Sequence, residues 1–112
     1  MSWETICDIS DIPQNSGVCA LIGGKQIAIY KFNNALYALD NFDPFSNANV
    51  LSRGILGDIK GELCVASPVY KQHFSVNSGI CLEDENVSVG VYEVRQSDEG
   101  KVELRISEAA AA

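Results

Sequence analysis

Hydrophobic and polar positions follow a short, strand-like rhythm over most of the chain. Val18 to Ile22 and Lys25 to Phe32 are β-rich runs separated by Gly23-Gly24. A Gly-Gly pair between two such runs predicts a two-residue hairpin, because both central positions of that turn need positive φ. Asn33-Asn34 predicts a second tight turn and Ala35 to Leu39 a third strand of the same meander. Trp3 to Ile6 predicts a short first strand, and Asp11 to Gly17 reads as a loop. Near the other end, Val102, Leu104 and Ile106 alternate with polar residues after the turn Ser97-Asp98-Glu99-Gly100. That alternation faces all three toward a core. Val87 to Arg95 also alternates, without deciding which face is inside.

The middle of the chain breaks this rhythm. From Asp40 to Gly57 the residues are turn-rich and aromatic with no period. A long irregular segment inside a small domain is usually functional. Glu62 to Ala66 regains strand character, Ser67-Pro68 ends it, and His73 to Val76 predicts another short strand before the turn Asn77-Ser78-Gly79. No long helix, repeat or linker is evident. The pattern predicts an all-β sandwich or barrel of short antiparallel strands.

The 112 residues make one domain, and the net charge of −7 disfavours nucleic acid and anionic membranes as partners. A protein with a basic docking surface fits that charge better. No apolar run approaches the ~20 residues of a membrane span. The Met1 to Thr5 start has no secretory pattern, so a cytoplasmic location is expected. The alanine run 109–112 is set aside as a disordered end or an expression artefact. Cys7, Cys19, Cys64 and Cys81 form no CxxC pair. Cys19 and Cys64 lie in apolar runs and are expected to be small buried hydrophobes rather than reactive thiols.

The stretch from Ser67 to Gly79 resembles the second motif of Rieske proteins, which begins Cys-Pro-x-His. Pro68, Phe74 and Gly79 stand at matching places, while Ser67 takes the Cys place and Tyr70 the His place. Upstream, Asn41-Phe42-Asp43-Pro44 resembles the first motif, Cys-x-His, with Asn41 at the Cys place and Asp43 at the His place. The gap between the motifs is longer than usual. A Rieske centre needs two cysteines on one iron and two histidines on the other. This chain holds one histidine, His73, so no shift of alignment supplies the set.

The resemblance narrows further. Leu51-Ser52-Arg53-Gly54 and Ala66-Ser67-Pro68 are its most specific pieces; Asp43-Pro44-Phe45, Lys71-Gln72-His73-Phe74 and Gly79 to Glu85 extend it. Together they resemble the small subunit of NADH-dependent nitrite reductase, over nearly the whole chain to about Ser107. The resemblance implies one Rieske-like domain over residues 1–107, with an irregular two-loop subdomain at about 41–79. It implies no cofactor in this chain and no catalytic residue. The partner would be a large subunit carrying FAD, siroheme and an iron–sulfur centre, which reduces nitrite to ammonium with electrons from NADH. That places the chain in nitrogen metabolism.

Candidate contact residues follow. Phe42, Phe45 and Tyr70 either anchor a partner or fill the space a cluster would take. Arg53 either pairs with a partner carboxylate or, slightly favoured, braces its own loop. Glu83-Asp84-Glu85 is most simply a solvated turn, with docking to a basic patch as the sharper reading. Asp40 and Asp43 read as turn residues before metal ligands. His73 reads as a strand or rim histidine, since no carboxylate partner is evident from sequence. Two rival functions stand beside the subunit reading. One is a stand-alone electron carrier, with Cys64 and Cys81 as thiolates, or a binding module of another oxidoreductase. The other is an enzyme with its own pocket, disfavoured because no nucleophile–base pair or phosphate loop is seen.

Overall fold

The computed structural model describes residues 3–69 and 71–105. Among these residues eleven strands form three antiparallel sheets. The first six are β1 (Glu4–Asp8), β2 (Ser16–Ile22), β3 (Lys25–Phe32), β4 (Ala35–Asp40), β5 (Phe42–Asp43) and β6 (Ala48–Asn49). The others are β7 (Ile55–Ile59), β8 (Glu62–Ala66), β9 (His73–Ser75), β10 (Val91–Gln96) and β11 (Lys101–Arg105). The large sheet runs in the order β1-β11-β10-β4-β3-β2 and curls into a nearly closed barrel. β5 pairs with β6, and β7-β8-β9 form a separate three-stranded sheet.

The meander forms as the turn chemistry dictates. Gly23 and Gly24 have φ of 57° and 80°, and Asn33 and Asn34 of 50° and 63°. These are the left-handed values that the twist of a tight hairpin needs. β2 and β3 then pair without a shift from Ser16↔Lys31 to Ile22↔Lys25.

Two cores result. One fills the barrel with Ile12, Ile27, Ile29, Tyr92, Val102 and Leu104. The other lies between the outer face of β3–β4 and the three-stranded sheet, built on Tyr30, Leu39, Leu51, Val65, Phe74 and Val76. β3 carries alternate residues to both, so it reads as an almost continuous buried run.

The structure corrects several expectations. β1 starts later than predicted and reaches Asp8, and a 3-10 turn occupies Ile9–Asp11. β7 falls partly within the stretch read as irregular, because Gly57 and Asp58 interrupt its apolar alternation. The strand expected from Val87 begins only at Val91. Val87 and Val89 pack on the second core, whereas Tyr92 and Val94 face the first. The chain changes cores near Gly90, which is why one alternation could not serve the whole run. Val102 and Leu104 are buried as expected. Ile106 and the alanine tail lie outside the described residues.

Candidate functional site

The two motif loops meet over the second core. Asn41 ends the reach of β4 and is 2% exposed. Its N–H donates to the Gln26 carbonyl at 3.0 Å, and its carbonyl accepts from the Leu51 N–H at 3.0 Å. Its side-chain oxygen accepts from the Ser52 N–H at 2.6 Å, and Nδ2 donates to Gln26 Oε1 at 3.0 Å. One amide thus pins the 3-10 turn Leu51–Arg53 to β3. Tyr30 reinforces the pin, its hydroxyl donating to the Leu51 carbonyl at 2.6 Å. Burial, aided by nearby Cys19, drives the Tyr30 hydroxyl far above its ordinary pKa, so it is a neutral donor.

Asp43, in β5, is fully buried. One carboxylate oxygen accepts from the Phe45 N–H at 2.9 Å, closing an Asx turn over Pro44. The other accepts from the Ser46 hydroxyl at 2.9 Å and from the Ser67 hydroxyl at 2.5 Å. Ser67, 1% exposed, opens the second loop. Its N–H donates to the Gln72 carbonyl and its own carbonyl accepts from the Lys71 N–H. The residues at one His place and one Cys place are therefore joined directly, carboxylate to hydroxyl. Tyr70, at the remaining place, lies outside the described residues.

Phe45 packs against Phe74 with ring centroids 6.1 Å apart. It fills the second core, whereas Phe42 is exposed on β5. Arg53 is exposed, and its guanidinium makes no hydrogen bond or ion pair with a described residue. The internal brace expected of it is not found. Asp40 is no turn residue. It accepts from the Gly90 N–H at 2.9 Å and from the Tyr92 hydroxyl, and lies 3.7 Å from Lys25 Nζ.

The 83–85 run is exposed, as a solvated turn is, and Glu83 is tied to His73 besides. Glu83 accepts from the His73 N–H at 2.8 Å and lies 2.6 Å from His73 Nδ1. Sequence reasoning found no carboxylate for His73 because the partner stands ten residues away, brought in by a turn. Partial burial raises the Glu83 pKa, but the backbone and ring bonds to His73 outweigh it and hold the carboxyl below its ordinary value. Asp84 and Glu85 are exposed.

The cysteines also differ from expectation. Cys64 and Cys81 are buried, but Cys19 is exposed, because β2 turns it away from the barrel beside Gln26 and Asn41. Burial raises the thiol pKa of all four. Cys64 and Cys81 are thus poorly disposed as thiolates.

A family model described as a Rieske-like [2Fe-2S] domain matches residues 2–105. The chain is 49% identical over 105 residues to the nitrite reductase (NADH) small subunit of Salmonella typhimurium, spanning 92% of this chain and 96% of that one. It belongs to the nitrite reductase (NADH) small-subunit family. The NMR structure of the E. coli protein NirD is 45% identical and superposes with a TM-score of 0.87 over 96% of this chain and 98% of that one. A further relative is a nitrite reductase [NAD(P)H] large subunit from Klebsiella oxytoca. It is 45% identical over 89% of this chain, which matches 10% of that protein.

The Rieske-like family name implies a two-iron cluster, and the residues at its ligand places in this small-subunit chain do not fit one. Thiolate and imidazole are required. Amide, carboxylate and hydroxyl stand at the three described places, and each is already committed to hydrogen bonds that hold the loops together. The geometry assigns these residues to loop cohesion.

Proposed function

We infer that this chain is a non-catalytic small subunit of an NADH-dependent nitrite reductase, carrying no cluster of its own. It binds and supports a large subunit that holds FAD, siroheme and an iron–sulfur centre and reduces nitrite to ammonium. One observation carries the reading. The chain matches a small subunit along nearly its whole length, while its ligand places are closed by the Ser67–Asp43 bond. The Klebsiella relative adds support, since there the same domain forms a tenth of a chain named as the large subunit. Binding only the folded large subunit would stabilise it by mass action. The described residues contain no helix long and apolar enough to cross a membrane. Together with the acidic charge, this is consistent with work in the cytoplasm.

The loop end offers one docking face: Phe42 and Arg53 are exposed there, and Tyr70 belongs to the same loops by sequence. Asp84 and Glu85 offer an acidic flank.

Affinity capture of the tagged chain from its host grown on nitrite tests the partnership. Recovery of a large flavin- and siroheme-containing protein is the expected result. A clean bait overturns the reading. Iron analysis of the chain purified without oxygen tests the second part; stoichiometric iron and a visible cluster spectrum would overturn it.

A further inference from the structure

Among the described residues the barrel does not close. β1 and β2 are the two ends of the six-stranded order, and no described strand pairs with their outer edges. They face each other across a groove of about 410 Å³. Ile6 and Cys7 line one wall, Val18 and Ile22 the other, and Glu4 and Asp11 are its only charged lining residues among those described.

The two edges are not equivalent. β1 carries a register shift between Thr5 and Cys7 against β11. Such a bulge disrupts the ladder and blunts an edge. β2 has no such guard. Its seven residues, Ser16-Gly17-Val18-Cys19-Ala20-Leu21-Ile22, contain no charge and no proline, and its register is unbroken. Leu21 is 72% exposed. Ile22 and Lys25 close a two-residue turn and so form a hydrogen-bonded pair. The alternation of antiparallel bonds then turns the backbone groups of Leu21, Cys19 and Gly17 to the outer edge of the sheet, with Leu21 and Cys19 lining the groove. A long, regular, uncharged edge is a template for another strand, and natural proteins seldom leave one bare.

We propose that β2 takes an extended segment of the large subunit as an added strand in this groove. The proposal rests on the subunit reading above and names where and how the partner binds. An extended chain is the occupant that satisfies a row of free backbone groups. Alternate apolar side chains of that segment enter between Val18, Ile22 and Ile6, and a Lys or Arg meets Glu4 and Asp11. A second copy is a poor occupant, since it would bring another −7 charge and another pair of acidic groups to the same groove. The added strand also continues toward the loop end. The Gly24–Gln26 segment, just past the turn, lines a second groove together with Phe42.

Hydrogen–deuterium exchange of the free chain and of its complex with the large subunit tests this. Peptides covering 16–22 and 3–8 should slow at least tenfold in the complex, and Leu21→Pro should weaken assembly at least tenfold. Pro removes an outward N–H without touching the β2–β3 ladder. If that variant misfolds, the exchange comparison on the unmodified chain decides alone. A complex that forms while residues 16–22 exchange as fast as in the free chain overturns the proposal and leaves the subunit reading intact. Absence of any complex overturns both. Protection already present in the dilute free chain assigns the groove to the chain's own remaining residues, and protection that grows with concentration assigns it to a second copy. Either result overturns the proposal.

Discussion

Ser67 donates its hydroxyl proton to the buried carboxylate of Asp43 at 2.5 Å, across 24 residues of sequence. This bond joins the two loops at the places where a Rieske protein uses metal ligands. Ser67→Ala removes one of three donors to a fully buried carboxylate. The expected loss is about 1–3 kcal/mol of folding stability, measured by urea denaturation. Combining it with Asp43→Ala should cost less than the sum of the two single changes, since both remove the same bond. Full additivity would dissolve the link between the loops.

Asn41 makes a parallel case. Its amide serves Gln26, Ser52 and Cys19 together. Asn41→Ala leaves the Ser52 N–H without its acceptor, and about 1–3 kcal/mol of destabilisation is expected. Faster amide exchange at Leu51 and Ser52 would show that the 3-10 turn has come loose from β3.

Gly79 and Gly57 should respond in opposite ways to alanine. At Gly79, φ is +78° and an added Cβ would lie 2.1 Å from the Val89 carbonyl oxygen. The Val89 N–H is itself bound to the Gly79 carbonyl at 2.8 Å, so the two segments are tied together and do not part easily. Gly79→Ala should destabilise by several kcal/mol, on the order of the largest single-site effects. Gly57 has open space around the Cβ position and no positive φ. Gly57→Ala should be neutral or stabilise by up to about 1 kcal/mol. Thermal melts of the two variants compare them directly.

Glu83 sets an acid-side dependence. Its carboxyl is held below its ordinary value in the folded chain, so the unfolded chain binds more protons there. The contribution is therefore fully present above the ordinary carboxylate range of about pH 4.3 and is lost as pH falls through the lower folded value. Urea midpoints of the wild type should fall more steeply between about pH 5 and pH 3 than those of Glu83→Gln. Parallel curves would mean that the His73 contact adds no pH-dependent stability.

Thiol accessibility separates the cysteines. Cys19 is exposed and should react first with a thiol reagent, at a rate that climbs with pH because partial desolvation of its sulfur beside Gln26 and Asn41 keeps the thiol above the ordinary value. Cys64 and Cys81, both 1% exposed, should react only on unfolding. Equal rates for all four in native buffer would contradict the packing.

The sequence by itself determined the parts governed by neighbours a few residues apart. Gly23-Gly24 and Asn33-Asn34 set the β2–β3–β4 meander because their backbone preferences are local. A motif resemblance placed Asn41, Asp43 and Ser67 at the ligand positions, and the chain's one histidine is short of the two that a Rieske centre uses. The tertiary structure decided what depends on distant residues. It paired Ser67 with Asp43 and His73 with Glu83, turned Cys19 outward, and gave Arg53 no internal partner among the described residues. It found β7, whose Gly57 and Asp58 hide its alternation, and moved the start of β10 to Val91, where the chain passes from one core to the other. It also left β2 with no described strand on its outer edge. Period and propensity describe a strand's faces; which strand lies beside it is fixed only when the whole sheet closes, or stops short of closing.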